Sequence, residues 1–243
     1  MMNASIKTAF ILGAGLGVRL RPLTDTCPKP LLPAGGRPLI TYAMEHLLTV
    51  GVQRFIVNIH HLAGVYHEVF PGGEWRGKPI IFRYEPLLLD TAGGLKNIED
   101  LLVKDDSLLI YNGDVVSDLP LSRLLKAHQE AGKEVTLALR SSGFPANVRL
   151  NEQNEACDFR ETLGREGKRC LFTGIYVIKK AFLDRLEPGR RESVITVFLD
   201  MIRDKPGAVA GAVIDEGRWH DAGSLSEYEK LNELLRREEG SGY

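Results

Sequence analysis

The chain of 243 residues is poor in several features that would assign it to a class at once. Its three cysteines, Cys27, Cys157 and Cys170, are an odd number with no Cys-x-x-Cys pair. That excludes a disulfide framework and a zinc ribbon. Charge of neither sign dominates: 31 Lys and Arg stand against 32 Asp and Glu, a formal net charge of -1. No global positive charge drives counterion release from a nucleic-acid polymer, and no acidic block marks a disordered tail. No stretch reaches the roughly 20 apolar residues of a membrane span. The early run Ala9-Phe10-Ile11-Leu12 is broken by Gly13, too soon for a signal-peptide core. These absences predict a cytoplasmic protein with neither a nucleic-acid polymer nor a membrane as partner.

What is present is ordinary globular composition, 44% hydrophobic and 26% charged, in a chain long enough to bury a core without disulfides or metal. Apolar runs alternate with helical periodicity. Strands are predicted at 8–12, 54–58, 80–84, 107–111, 135–139, 171–178 and 209–214. Helices are predicted at 39–48, 62–70, 95–102, 121–128, 181–187 and 194–203, with a last helix carrying Leu225, Tyr228, Leu231, Leu234 and Leu235. Residues 141–170 are polar and irregular, with hairpin strands as an option, and the Gly-Ser-Gly tail at 240–242 should fray. The β-α-β-α rhythm argues an α/β fold with a mostly parallel sheet and helices on both faces. No repeat or linker divides the chain, so one domain, 1–243, is expected.

The loop after the first strand carries the strongest signal. Gly13, Gly15 and Gly17 follow a buried strand directly, and glycines there let several backbone N–H groups face an anion. A dinucleotide fingerprint fails because Val18 stands where a third glycine is needed and the second strand ends in Asn58 rather than an acidic residue. No Gly-x-x-x-x-Gly-Lys-[Ser/Thr] occurs, which excludes a P-loop. Arg19 supplies a planar fork of donors, and Lys29 sits between Pro28 and Pro30, which stiffen its backbone. Together these read as a polyphosphate cradle.

The run Gly15-Leu16-Gly17-Val18-Arg19-Leu20-Arg21-Pro22-Leu23-Thr24, then Pro28-Lys29-Pro30-Leu31, resembles the signature of the sugar-1-phosphate nucleotidylyltransferases. Asp90-Thr91-Ala92-Gly93-Gly94-Leu95 resembles that family's substrate loop and Asn112-Gly113-Asp114 its metal-binding strand end. Phe172-Thr173-Gly174-Ile175-Tyr176 resembles its sugar-contacting strand, and Trp219-His220-Asp221-Ala222-Gly223-Ser224 its second metal segment. The resemblance implies a single-domain Rossmann-like three-layer sandwich with a mostly parallel mixed central sheet. Residues 1–140 would form the nucleotide-binding core, and 141–243 the sugar-phosphate-binding part with the C-terminal helix.

It also implies the reaction: the oxygen of a sugar 1-phosphate attacks the α-phosphorus of an NTP, and pyrophosphate leaves. Arg19, Lys29 and Asp114 become the catalytic candidates. Leu12, Gly13, Ala14, Gly15, Gly17, Arg19, Lys29, Gly93 and Asn112 become nucleotide contacts, and Gly94, Arg160, Thr173 and Gly174 substrate contacts. A lone strand-end aspartate most often caps a turn. With the resemblance, Asp114 and Asp221 are assigned to Mg2+, which is typically held by one or two carboxylates plus phosphates and water.

Some positions depart from the family pattern. The segment Asp158-Phe159-Arg160-Glu161 lacks a lysine that many members use for the sugar phosphate, which makes Arg160 a substitute. The short chain looks most like a compact subgroup that includes N-acetylmuramate-1-phosphate uridylyltransferases and mannose-1-phosphate guanylyltransferases. UTP with N-acetylmuramate 1-phosphate, as in cell-wall recycling, is the leading pair, and GTP with mannose 1-phosphate follows. A phosphocholine-type cytidylyltransferase and a non-catalytic nucleotide-sugar sensor are the alternatives. His60, His61 and His67 read as a solvated loop rather than a metal cluster, and Cys27 as packing.

Overall fold

The computed structural model describes residues 6–240; residues 241–243, and with them most of the expected frayed tail, lie outside it. In chain order the elements are β1 (Thr8–Leu12), the short β2 (Pro33–Ala34) and β3 (Arg37–Pro38), α1 (Ile40–Leu48), β4 (Arg54–Ile59) and α2 (Ala63–Val69). Next come β5 (Glu74–Trp75), β6 (Lys78–Tyr84), α3 (Asp90–Lys96), β7 (Ser107–Asn112), β8 (Val115–Ser117), α4 (Leu121–Ala131) and β9 (Val135–Arg140). The last part holds β10 (Val148–Leu150), β11 (Ala156–Phe159), β12 (Lys168–Lys179), α5 (Val194–Asp204), β13 (Val209–Val213), β14 (Trp219–Asp221) and α6 (Leu225–Gly240).

Residues alternate between two cores along the central strands. Phe10, Ile56 and Ile110 face a core shared with α3 and α5, while Ala9, Ile11, Phe55, Val57 and Leu109 face one shared with α1, α2 and α4. A strand buried on both faces belongs inside a sheet covered by helices on each side, which is the three-layer arrangement the rhythm predicts. The sheet runs β11-β10-β12-β7-β1-β4-β6-β5, with β9 joining β12 to β13. It is parallel through β6-β4-β1-β7, the half that carries the site, and β12 enters antiparallel to β7 and β9. A third apolar cluster packs Tyr228, Leu231 and Leu235 of α6 on Leu20, Leu32 and Leu39 of the loop after β1.

Three expected boundaries change. The helix expected at 95–102 is instead α3 at Asp90–Lys96, followed by a 3-10 turn at Glu99–Leu101. Gly93 lies inside α3 because a Cβ there would strike the carbonyl oxygen of Arg190, so close packing outweighs its poor helix propensity. The segment expected as helix at 181–187 is a 3-10 helix, Lys180–Arg185. Residues 219–221, where no strand is predicted, form β14, which ends at Asp221 and pairs with β8.

Candidate active site

Because β1, β4, β6 and β7 run parallel, their carboxyl ends meet at one edge of the sheet, where open α/β sheets bind ligands. A cavity of about 340 Å³ opens there. Leu12, Gly13, Ala14 and Gly15 form one part of its lining, and Lys29, Asn112 and Asp114 another. Gly15 is exposed and nothing lies within 4 Å of where its Cβ would be. Among the described residues no hydrogen bond uses the N–H groups of Ala14, Gly15 or Leu16, so the loop offers free donors. Gly17 takes a left-handed conformation, φ 62°, and its carbonyl accepts from Thr24 Oγ1 at 2.8 Å.

Lys29 opens the 3-10 turn Lys29–Leu31 and is 9% exposed. Its ammonium is paired with the Asp114 carboxylate. The chain passes close to itself here: Gly113 N–H donates to the Leu12 carbonyl at 3.0 Å, and a Gly113 Cβ would lie 2.6 Å from that oxygen. The β8–β14 pairing then delivers the second carboxylate. Asp221 stands opposite Val115, and Ala222 N–H donates to the Asp114 carbonyl at 3.0 Å.

Asp221 is electrostatically unsatisfied. Its Oδ1 is buried without a hydrogen-bond partner. Burial, and then the neighbouring Asp114 charge, push its carboxyl above the ordinary range, against the opposing pull of Lys29 and Arg19. A buried, unpartnered carboxylate oxygen beside a second carboxylate fits a hard cation, since a charge there is costly unless compensated. Among the described residues no group of three or more His, Cys, Asp or Glu forms a metal cluster, which leaves the remaining positions of such a cation to phosphate and water. Arg19 is exposed and lines a neighbouring cleft of about 760 Å³ together with Asp221, Trp219, Phe144 and Lys230 of α6.

The remaining sequence candidates stand behind the walls. A Gly94 Cβ would lie 2.9 Å from both Asn58 Nδ2 and Glu85 Oε1, and the space of a Gly174 Cβ is filled by the Asn112 amide. The Thr173 hydroxyl donates to the Ala138 carbonyl at 2.8 Å and accepts from Ile175 N–H. Gly93, Gly94, Thr173 and Gly174 thus pack tightly against the residues that form the site. Arg160, read as the substitute cation, stands on an exposed turn after β11 at φ 53° and lines neither cavity. His60 and His61 point to different partners, one bonding to the Glu85 carbonyl and the other to that of Thr24.

Pro30, Asn58, Glu85, Leu88, Asp90, Thr91 and Arg191 complete the cavity lining; Asp90 and Thr91 belong to the segment that resembles a substrate loop, while Asn58, Glu85, Leu88 and Arg191 are given no site role from the sequence. Asn58 and Glu85 share one signal that could have found them: each is a polar residue where an apolar parallel strand ends. Asp90 stands at φ 61° with Thr91 N–H donating to its Oδ1, which no sequence pattern shows. Such a conformation is uncommon and points to a constrained place.

Comparison with known proteins agrees with this geometry. The family model described as nucleotidyl transferase matches residues 8–238. The mannose-1-phosphate guanylyltransferase of Mycobacterium tuberculosis is 31% identical over 224 residues, which cover 90% of this chain and 62% of that protein. The UTP--glucose-1-phosphate uridylyltransferase of a Synechocystis species is 28% identical, covering 95% of this chain and 64% of that one. The chain thus spans less than two thirds of these relatives' length. A putative glucose-1-phosphate thymidylyltransferase from Bacillus anthracis shares the fold, with a TM-score of 0.80, 21% identity and coverage of 94% of this chain and 95% of that one.

Proposed function

The chain belongs to the nucleotidyl transferase family, and on that premise we propose that it transfers a nucleotidyl group from an NTP to a sugar 1-phosphate. The products are an NDP-sugar and pyrophosphate. One observation carries the reading: Lys29 and Asp114 are paired in the lining of the cavity that the glycine loop also lines, with Asp221 beside Asp114. An oxygen of the sugar 1-phosphate attacks the α-phosphorus, the bond from that phosphorus to the bridging β-oxygen breaks, and its electron pair leaves with pyrophosphate. Both reactants are anions, so positioning and charge compensation set the barrier. The loop N–H groups, Lys29 and Arg19 neutralise the triphosphate. Asp114 and Asp221 would hold Mg2+, which would supply charge neutralisation at the phosphates.

In this reading the chain is one domain, with residues 1–140 holding the nucleotide and 141–243 the acceptor side, and it works in the cytoplasm. For the substrate pair, UTP with N-acetylmuramate 1-phosphate follows from the compact-subgroup resemblance and would place the enzyme in cell-wall recycling. GTP with mannose 1-phosphate is favoured by the Mycobacterium relative. A panel of UTP, GTP, CTP and dTTP against sugar 1-phosphates, read by phosphorus NMR, tests the reaction and the pair together. New diphosphate doublets and pyrophosphate, needing both substrates, are expected. Tight NDP-sugar binding without turnover for any pair would favour a sensor instead.

A further inference from the structure

Gly13 N–H donates to Asn58 Oδ1 at 2.8 Å, Asn58 Nδ2 donates to Glu85 Oε1 at 2.7 Å, and Leu89 N–H donates to Glu85 Oε2 at 3.0 Å. Glu85 is fully buried and Asn58 is 3% exposed. Each bond fixes the direction of the next. The Gly13 donor takes the Asn58 oxygen, so the Asn58 amide nitrogen must face Glu85. Two donors therefore converge on Glu85, and only a side chain with two acceptor oxygens answers both. Among the described residues no cation pairs with Glu85, so the fold bears a buried carboxylate that an apolar side chain would avoid.

The carboxylate connects two parts of the cavity lining. Gly13 begins the glycine loop, and its carbonyl is held as well, accepting from Tyr66 OH at 3.0 Å. Leu89 lies between the lining residues Leu88 and Asp90, at the entry to α3. Gly94 has no Cβ, and Asn58 Nδ2 and Glu85 Oε1 use the space. We propose that Glu85 is a positioning residue that locks the glycine loop, through Asn58, to the start of α3, and so sets nucleotide affinity. The inference rests on the nucleotidyl transfer reading above. Lys29 and Asp114 are placed by other segments, so turnover of bound substrate depends on Glu85 less than binding does.

The test is titration calorimetry of the full chain with UTP and with GTP, alongside steady-state rates and melting temperatures. Glu85→Gln places a donor against Asn58 Nδ2 or Leu89 N–H and should weaken NTP binding about tenfold, the effect of one buried bond turned repulsive. The kcat should fall less than the Kd rises. Asn58→Asp alone sets two carboxylates against each other and should be worse. The double variant, Asn58→Asp with Glu85→Gln, reverses the central bond: the new carboxylate accepts from Gly13 N–H and from the new amide, whose oxygen accepts from Leu89 N–H. Affinity should return to within about threefold of wild type, as coupled neighbours do. Unchanged binding in Glu85→Gln, or no recovery in a double variant that melts like wild type, would overturn the positioning role. A wild type that binds no NTP would overturn the transferase reading itself.

Discussion

At the scale of single residues, the site is a balance of charges held by short, stiff pieces of chain. Lys29 is aimed by the prolines on either side and its ammonium is mostly shielded from water. Replacing it with alanine should lower kcat by about 10²- to 10³-fold, the usual cost of one preorganised charged donor, measured as pyrophosphate release. Asp221 should behave in the opposite way for stability. Its buried charge faces Asp114, so Asp221→Asn relieves repulsion. In metal-free buffer the variant should melt higher by about 2–4 °C, which corresponds to about 1 kcal/mol, while losing most of its turnover. A lower melting temperature would show that the carboxylate is satisfied in a way its orphaned Oδ1 does not reveal.

At the scale of elements, α3 shows packing overruling propensity. Gly93→Ala improves helix propensity by roughly 1 kcal/mol, but its Cβ would run into the Arg190 carbonyl. The variant should be destabilised by about 1–3 kcal/mol in a denaturant titration, and a gain in stability would contradict the close approach. Helix α4 carries a pH-sensitive contact. His128 Nδ1 meets Thr136 Oγ1 at 2.9 Å, and its Nε2 is buried without a partner. Burial, and then the Lys179 charge, lower its pKa from 6.5 to about 4. The unfolded chain therefore binds a proton in a window where the folded chain does not, and stability falls as pH drops from about 6.5 to about 4. Calorimetric scans across this range should show that fall, reduced in His128→Leu.

The same elements show what the sequence discloses. β1 is legible to the residue because the apolar run Ala9–Leu12 after Thr8 ends at a glycine. The loop after β1 is legible because Gly15 to Leu31 keeps a long fixed spacing. α3 is hidden by its two glycines: Gly93 makes room for Arg190, a segment about a hundred residues away, and Gly94 for Asn58 and Glu85. β14 is hidden because Trp219-His220-Asp221 is too short to show alternation. Asn58 and Glu85 carry no spacing at all. They become a pair only when β4 and β6 lie side by side, which is a fact of topology rather than of pattern.

At the scale of the whole molecule, four parallel strands end at one edge, and every loop leaving that edge brings something to the cavity. β1 delivers the glycine loop, β4 Asn58, β6 Glu85, and β7 Asn112 and Asp114. The C-terminal part returns through β14 to set Asp221 beside Asp114, and α6 packs against the loop that holds Lys29 in place. That convergence is proposed to act as one phosphate-handling centre. The most direct measurement is pyrophosphate release with Mg2+, an NTP and a sugar 1-phosphate, compared among wild type, Lys29→Ala and Asp114→Asn. The account predicts release that requires both substrates and collapses by at least about 10²-fold in each variant. Release that survives both substitutions would place the chemistry elsewhere and contradict it.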